Sequence, residues 1–218
     1  MAASPKLTLR RESPADYEAV EAVTREAFWN HYVPGCDEHY LMHVMRASES
    51  FLPELDYVAE LSGEVVGNIV YTKAEVALDC GGVLDVLSFG PLSVLPAFQG
   101  KGIGGALVEY TLYLARSFGH RAVFIYGDPL YYSRFGFVPA ETYKIGTRDN
   151  FYAPPLQALE LVPGALSDAA GRFCEDEVYS IDPEASGEFD KRFPYREKLD
   201  GLPSQARFMA LIGDRRPR

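Results

Sequence analysis

A chain that passes from the β-rich run "DVLSFGPLSVLPAF" through "QGKGIGG" into "ALVEYTLYLARSFG" must set a glycine-rich turn at the mouth of a helix. No other feature narrows the fold as much. Strand, glycine loop and helix in succession belong to an α/β layer. The first N–H groups of a helix have no partner within it, and its aligned peptide dipoles favour an anion there.

Three phosphate readings compete for this loop. A nucleoside-triphosphate loop needs a hydroxyl residue directly after its lysine, and Lys101 is followed by Gly102. A dinucleotide fingerprint, G-x-G-x-x-G, is present as Gly100, Gly102 and Gly105, with Asp128 roughly 20 residues further on. Its context is wrong, because Pro96–Gln99 separates the strand from the first glycine and Asp128 runs into Pro129 and a short helix. The third reading is the pyrophosphate of coenzyme A. The pattern Gln/Arg-x-x-Gly-x-Gly/Ala is filled by Gln99, Gly102 and Gly104.

Around this loop, helices and strands interleave. "KLTLRRES" reads as a first strand. Ser13-Pro14-Ala15-Asp16 caps a helix reaching about Phe28, with Val20, Val23 and Ala27 on one face, and a second helix is expected over 38–50. "LDYVAEL" and "VVGNIVYTKAEVAL" form a hairpin through "SGE", and Gly81-Gly82 turns the chain into "VLDVLSFGPLSVL". Gly90-Pro91 marks a bulge or break in that run. Leu107, Tyr110, Leu114 and Phe118 recur at helical spacing up to a stop at Gly119. "RAVFIYG" is a short buried strand, "DPLYYSRFGF" a short helix ending at Gly136, and "LQALELV" a late strand. Beyond Ser167 the chain is charged, with one helix expected in "DPEASGEFDKRF". The hairpins make the sheet mixed rather than parallel. We read residues 1–166 as the domain core and 167–218 as an extension, a last strand plus a tail packed on the domain.

Composition excludes several classes. With 218 residues, 47% of them hydrophobic, the chain suits one sizeable core. A formal net charge of −10 argues against nucleic acid as partner and weakly favours a cationic one. No apolar run approaches the ~20 residues that span a bilayer, and the start lacks a signal-peptide core. Cys36, Cys80 and Cys174 are too few and too scattered for a disulfide framework, so a cytoplasmic protein with reduced thiols is expected. His39 and His43 share a helix face but lack a third ligand at useful spacing, so no metal is expected.

The sequence resembles the GNAT superfamily of acyl-CoA-dependent N-acetyltransferases. The residues that carry the resemblance are "LSVLPAFQGKGIGGALVEY" and "YYSRFGF", with the hairpin "VVGNIVY" before them. "GDPLYYSRFGF" and "LELVPGAL" are similar to a bacterial-type subgroup of predicted N-acetyltransferases with the GDP-x-YY-x-RFGF motif. The resemblance implies a mostly antiparallel central sheet splayed at the acetyl-CoA site and flanked by helices. It implies main-chain bonds from Leu92 and Val94 to pantetheine, and a pyrophosphate held by Gln99, Gly100, Lys101, Gly102, Ile103 and Gly104. It places Tyr132 near the acyl-CoA sulfur as the catalytic acid, and a backbone N–H near Leu92 at the oxyanion. Tyr131 then falls to the core or the substrate wall.

Some family members carry a general-base Glu where this chain has Ser88. Asp85, Asp128 and a water chain remain open, and no base is assigned. Asp128 is expected to cap the short helix. Phe28, Trp29 and Tyr32 are candidates to line the acceptor pocket, ordinary packing being the alternative. The implied function is acetyl transfer from acetyl-CoA to a primary amine, on a small molecule or a peptide, by direct attack on the thioester. The alternatives are a catalytically weak acyl-CoA-binding sensor module and a dinucleotide-dependent oxidoreductase. No membrane partner is expected, and homodimer formation is left open.

Overall fold

The computed structural model describes residues 6–218, so the expectations that touch residues 1–5 lie outside the described residues. β1 (Leu7–Arg11) leads into α1 (Tyr17–Phe28). The turn between them is held by Asp16, whose carboxylate accepts from the Ser13 N–H at 2.9 Å, the Ser13 hydroxyl at 2.7 Å and Arg10 at 2.7 Å. Val20 and Val23 of α1 pack with Leu41, Met42 and Met45 of α2 (Glu38–Met45) on one sheet face. α2 ends at Met45 rather than at Ser50. Ala47 and Ser48 switch to bonds three residues back, and the Ser48 hydroxyl accepts from the Ser50 N–H at 3.1 Å. A serine that bonds nearby backbone competes with helix continuation.

β2 (Tyr57–Leu61) and β3 (Glu64–Leu78) form the expected hairpin, and β4 (Val83–Val94) returns along β3. β4 is continuous through Gly90-Pro91. Phe89 faces Tyr71 and Leu92 faces Ile69, so two residues of β4 oppose one of β3 in a bulge.

α3 (Ile103–Ser117) follows the glycine loop. Its buried face is Ile103, Leu107, Val108, Leu112 and Ala115. Of the residues that recur at helical spacing, Leu107 is buried, whereas Tyr110 and Phe118 are 38% and 52% exposed. The helix forms as the spacing predicts, but its packed stripe only partly coincides with those residues, and Tyr110 rests edge-on against Tyr57 at 5.2 Å.

β5 (Ala122–Tyr126), α4 (Pro129–Tyr132), β6 (Val138–Pro139), β7 (Ile145–Gly146), β8 (Phe151–Tyr152), β9 (Leu156–Glu160) and β10 (Gly171–Cys174) complete the body. α5 (Pro183–Asp190), α6 (Pro203–Gly213) and β11 (Arg216–Pro217) form the C-terminal end. The main sheet runs β1-β2-β3-β4-β5-β9-β6, with β10 on the far half of β3 and β7 beside β10. Pairing is antiparallel except for β4–β5 and β10–β7. The β4–β5 ladder is very short: Leu87 faces Val123, Ser88 faces Phe124, and beyond them the strands part.

α6 and β11 are elements the sequence reading did not anticipate. β11 pairs with β8, and α6 packs Phe208 on Tyr32 with ring centroids 4.7 Å apart. Among the described residues no helix is long and apolar enough to cross a membrane. Cys36, Cys80 and Cys174 are all free thiols.

Candidate active site

A cavity of about 590 Å³ opens where β4 and β5 part. Leu92 and Val94 of β4 form one wall, and Phe98, Gln99, Gly100 and Gly102–Gly105 form its floor. Asp128, Tyr131, Tyr132 and Arg134 form the opposite wall, and Ala27, Phe28, His31 and Tyr32 close the end.

The glycine loop meets the cavity with bare backbone. A short 3-10 turn at Pro96–Phe98 separates β4 from the loop, so the strand does not run directly into the first glycine. Gly102 caps α3 at φ 86°, a left-handed conformation that costs other residues strain. The first helical bond is donated by Ala106 to the Gly102 carbonyl at 2.9 Å. The N–H groups of Ile103, Gly104 and Gly105 therefore have no acceptor within the helix. Gly104 also lets Tyr131 in, because a Cβ there would stand 2.8 Å from the Tyr131 hydroxyl.

Leu92 and Val94 carry main-chain groups toward the gap. Leu95 donates to the Val66 carbonyl at 2.9 Å, and Val94 and Leu92 face Gly67 and Ile69. The alternation of an antiparallel ladder then turns the N–H and C=O of Leu92 and Val94 away from β3. The Val94 carbonyl accepts from Gln99 Nε2 at 3.0 Å, so the Gln99 side chain braces the loop. The Lys101 side chain folds back, its Nζ donating to the Ala97 carbonyl at 2.8 Å and lying 5.1 Å from the Phe98 ring centre. Among the predicted cofactor-binding residues it is the one whose side chain does not line the cavity.

Tyr132 is 8% exposed and packs against Phe89, Tyr131 and Phe137 at 5.6, 4.9 and 5.8 Å. Burial pushes its phenol well above 10, with Tyr32, Tyr131 and Tyr71 adding to the effect. The group stays protonated at neutral pH. Its ring fits because residue 127 is glycine, where a Cβ would stand 2.2 Å from a ring carbon. We expect Gly127→Ala to expel the Tyr132 ring. That variant should lower activity at least tenfold and cost about 1–3 kcal/mol of stability, in line with overpacking. Thermal melting and turnover measured together check this.

Asp128 caps α4 as the sequence suggested, accepting from the Leu130 N–H at 2.9 Å. It also accepts from Arg207 of α6 at 2.6 Å. Phe28 and Tyr32 line the cavity, but Trp29 does not. Trp29 is buried in packing, donating from Nε1 to the Glu197 carbonyl at 2.9 Å beneath the Arg25 guanidinium. Ser88 is buried, and Asp85 lines a different cavity. His39 lies 3.1 Å from Asp190 and His43 lies 2.9 Å from Glu21, so the two rings face separate carboxylates. Among the described residues no group of His, Cys, Asp and Glu is arranged to hold a metal ion.

Sequence reasoning missed Arg134. Its guanidinium stacks on Tyr131 at 3.9 Å and on Phe135 at 4.7 Å and lines the cavity beside Gly105. Among the described residues it has no ion-pair partner. The signal was present in "YYSRFGF", where a lone cation follows the two tyrosines.

Residues 54–139 match the model of the acetyltransferase (GNAT) domain. The chain is 28% identical over 165 residues to the uncharacterized N-acetyltransferase YhbS of Escherichia coli K12, covering 76% of this chain and 93% of that protein. It is 36% identical over 91 residues to the uncharacterized N-acetyltransferase YjhQ of the same strain, covering 42% of this chain and half of that protein. The crystal structure of E. coli YhbS in complex with CoA superposes with a TM-score of 0.71 at 27% identity, covering 83% of this chain and 96% of that one. A GNAT family acetyltransferase from Brucella melitensis in complex with acetyl-CoA superposes with a TM-score of 0.64 at 29% identity, covering 80% and 98%. The matched segment holds the parted strands, the glycine loop and Tyr132. Residues 54–139 thus match a GNAT acetyltransferase domain, and the chain has the GNAT fold.

Proposed function

We propose that the protein transfers the acetyl group of acetyl-CoA to a primary amine by direct attack on the thioester. One observation carries the reading: the gap between β4 and β5 opens beside free N–H groups at the start of α3, in a cavity that the Tyr132 ring borders. Support comes from the CoA and acetyl-CoA complexes of the two similar structures.

In this reading the pyrophosphate lies on the Gly100–Gly104 backbone, where unpaired donors and the helix dipole favour negative charge. Arg134 meets the phosphates from the opposite wall, since a guanidinium fork matches phosphate oxygens. The pantetheine arm lies along Leu92 and Val94 and bonds to the main-chain groups that face the gap. A backbone N–H near Leu92 stabilises the oxyanion of the tetrahedral adduct, and Tyr132 protonates the departing thiolate.

Gly102→Glu tests the cradle. It sets a carboxylate where the pyrophosphate is placed and a side chain at positive φ. Acetyl-CoA affinity should fall more than tenfold, about 1.4 kcal/mol. Calorimetry on a folded Gly102→Glu protein with unchanged affinity would remove the loop from the cofactor site.

A further inference from the structure

The C-terminal segment is fastened to the turn that closes the cavity end. Asn30 stands there at φ 61°, in the left-handed region that asparagine tolerates better than most residues. Its Nδ2 donates to the Glu197 carbonyl at 3.0 Å, and its Oδ1 accepts from the N–H groups of Gly35 at 2.8 Å and Leu199 at 3.1 Å. Its carbonyl accepts from Gln205 Nε2 at 3.2 Å. Asn30 and Gln205 are 7% and 5% exposed, and buried polar groups of this kind are costly to leave without partners. The turn runs straight into His31 and Tyr32. Phe208 of α6 packs on the Tyr32 ring at 4.7 Å and does not line the cavity, so it holds that ring from behind.

The cavity end is a cluster of rings. Tyr32 lies 5.7 Å from Phe28 at 52° and 4.5 Å from His31 at 59°, and all three residues line the cavity. They come from the sheet face opposite α3. Ala59, Val66 and Ile69 pack with α3, whereas their neighbours Val58, Val65 and Val70 pack with α1, which ends at Phe28. The pyrophosphate and pantetheine are placed on the glycine loop and along Leu92 and Val94, so the ring-lined end is open to the acceptor.

Charge at this end is already matched. Asp128 is the one carboxylate in the cavity wall among the described residues. Its Oδ1 accepts from the Leu130 N–H, and its Oδ2 accepts from Arg207 at 2.6 Å. The end therefore offers ring faces and edges rather than a free negative charge. Aromatic side chains favour a further ring in tilted or offset packing.

We propose that the acceptor is a primary amine carrying an aromatic ring, that this ring seats against Phe28, His31 and Tyr32, and that Phe208 is the positioning residue that shapes the seat. The proposal rests on the acetyl-transfer reading and names the acceptor class within it. The amine of such an acceptor points into the gap between β4 and β5, and its ring stays on the α1 side. Phe208 touches no substrate and acts through Tyr32.

The test uses the full chain loaded with CoA, and 2-phenylethylamine, methylamine and 1,4-diaminobutane as probes in calorimetry. The phenyl probe should bind about tenfold tighter than either of the others, the scale of one buried ring packed on rings. Turnover is read as free thiol released from acetyl-CoA. Phe208→Ala should raise the KM for 2-phenylethylamine by about tenfold, since the Tyr32 ring is released. The KM for methylamine and the affinity for acetyl-CoA should stay at the wild-type values, a split that general loosening of the fold would not produce. Phe208→Tyr keeps a ring on Tyr32 and should restore the low KM. Met209→Ala, at a 57% exposed position on the same helix, is the control and should change none of these values.

A wild-type CoA complex that binds the three amines alike, or prefers 1,4-diaminobutane, overturns the proposal. A Phe208→Ala protein whose KM values for the phenyl and methyl probes move by the same factor overturns the role of Phe208. A wild-type protein that binds no acetyl-CoA removes the acetyl-transfer reading itself, and the aromatic acceptor with it.

Discussion

Tyr132→Phe is expected to lower kcat by about 10- to 1000-fold while acetyl-CoA affinity stays nearly unchanged. Only the hydroxyl is lost. The ring keeps its contacts with Phe89, Tyr131 and Phe137, so the cavity wall survives. A general acid contributes on the scale of 10²–10⁴, and water supplies part of that when the acid is missing. The loss belongs to the transition state, so kcat and kcat/KM should fall together. Burial disfavours the phenolate and holds the Tyr132 pKa well above 10. The wild-type rate should therefore show no alkaline fall from this residue below pH 10. Tyr131→Phe is the internal control, since its hydroxyl lies against Gly104 in the glycine loop. It should disturb acetyl-CoA affinity more than turnover. Near-normal turnover in Tyr132→Phe would strip that residue of its role.

Truncation after Leu166 is expected to prevent stable folding. It removes β10 from the edge of β3, and with it Phe173, which is 1% exposed and stacked on Phe124. Losing one buried Phe typically costs about 3–5 kcal/mol. The cut also takes Asp190 from Arg25, whose side chain is only 5% exposed. An uncompensated buried charge adds a cost of similar size, about 3–5 kcal/mol. Together these approach the whole stability of a typical domain, about 5–15 kcal/mol. A milder cut after Ile181 keeps β10 and Tyr179 and loses only the two helices and β11. It should fold with a melting temperature lower by roughly 6–20 °C, taking the Arg25 cost at 2–4 °C per kcal/mol. Circular dichroism melting distinguishes the two. A protein cut after Leu166 that melts like the full chain would make residues 167–218 a passive appendage.

Several elements were legible because local chemistry dictates them. The Ser13-Pro14 start, the "SGE" hairpin and the Gly102 cap each depend on a residue type that few others replace at that backbone position. The glycine loop and "YYSRFGF" carried the family resemblance. The end of α2 differs from the expected one, and the packed stripe of α3 was not legible, because apolar spacing states a period but not which neighbour the helix meets. Trp29 was left open between pocket and packing for the same reason. An aromatic beside a pocket-lining pair reads alike whether it faces the cavity or the Glu197 carbonyl behind it.

What the sequence by itself determined was the glycine turn at the start of α3. A glycine loop before a helix leaves N–H groups free whatever surrounds them, so the free donors at the start of α3 follow from local geometry alone. Only the tertiary structure decided the rest. The two-pair ladder that lets β4 and β5 part depends on two strands far apart in sequence. The Arg207 contact with Asp128, the Phe208 contact with Tyr32 and the seat of Tyr179 on Gly90 span 79, 176 and 89 residues. Contacts of that length leave no periodicity in the chain, because each is set by where whole elements pack rather than by their own residues.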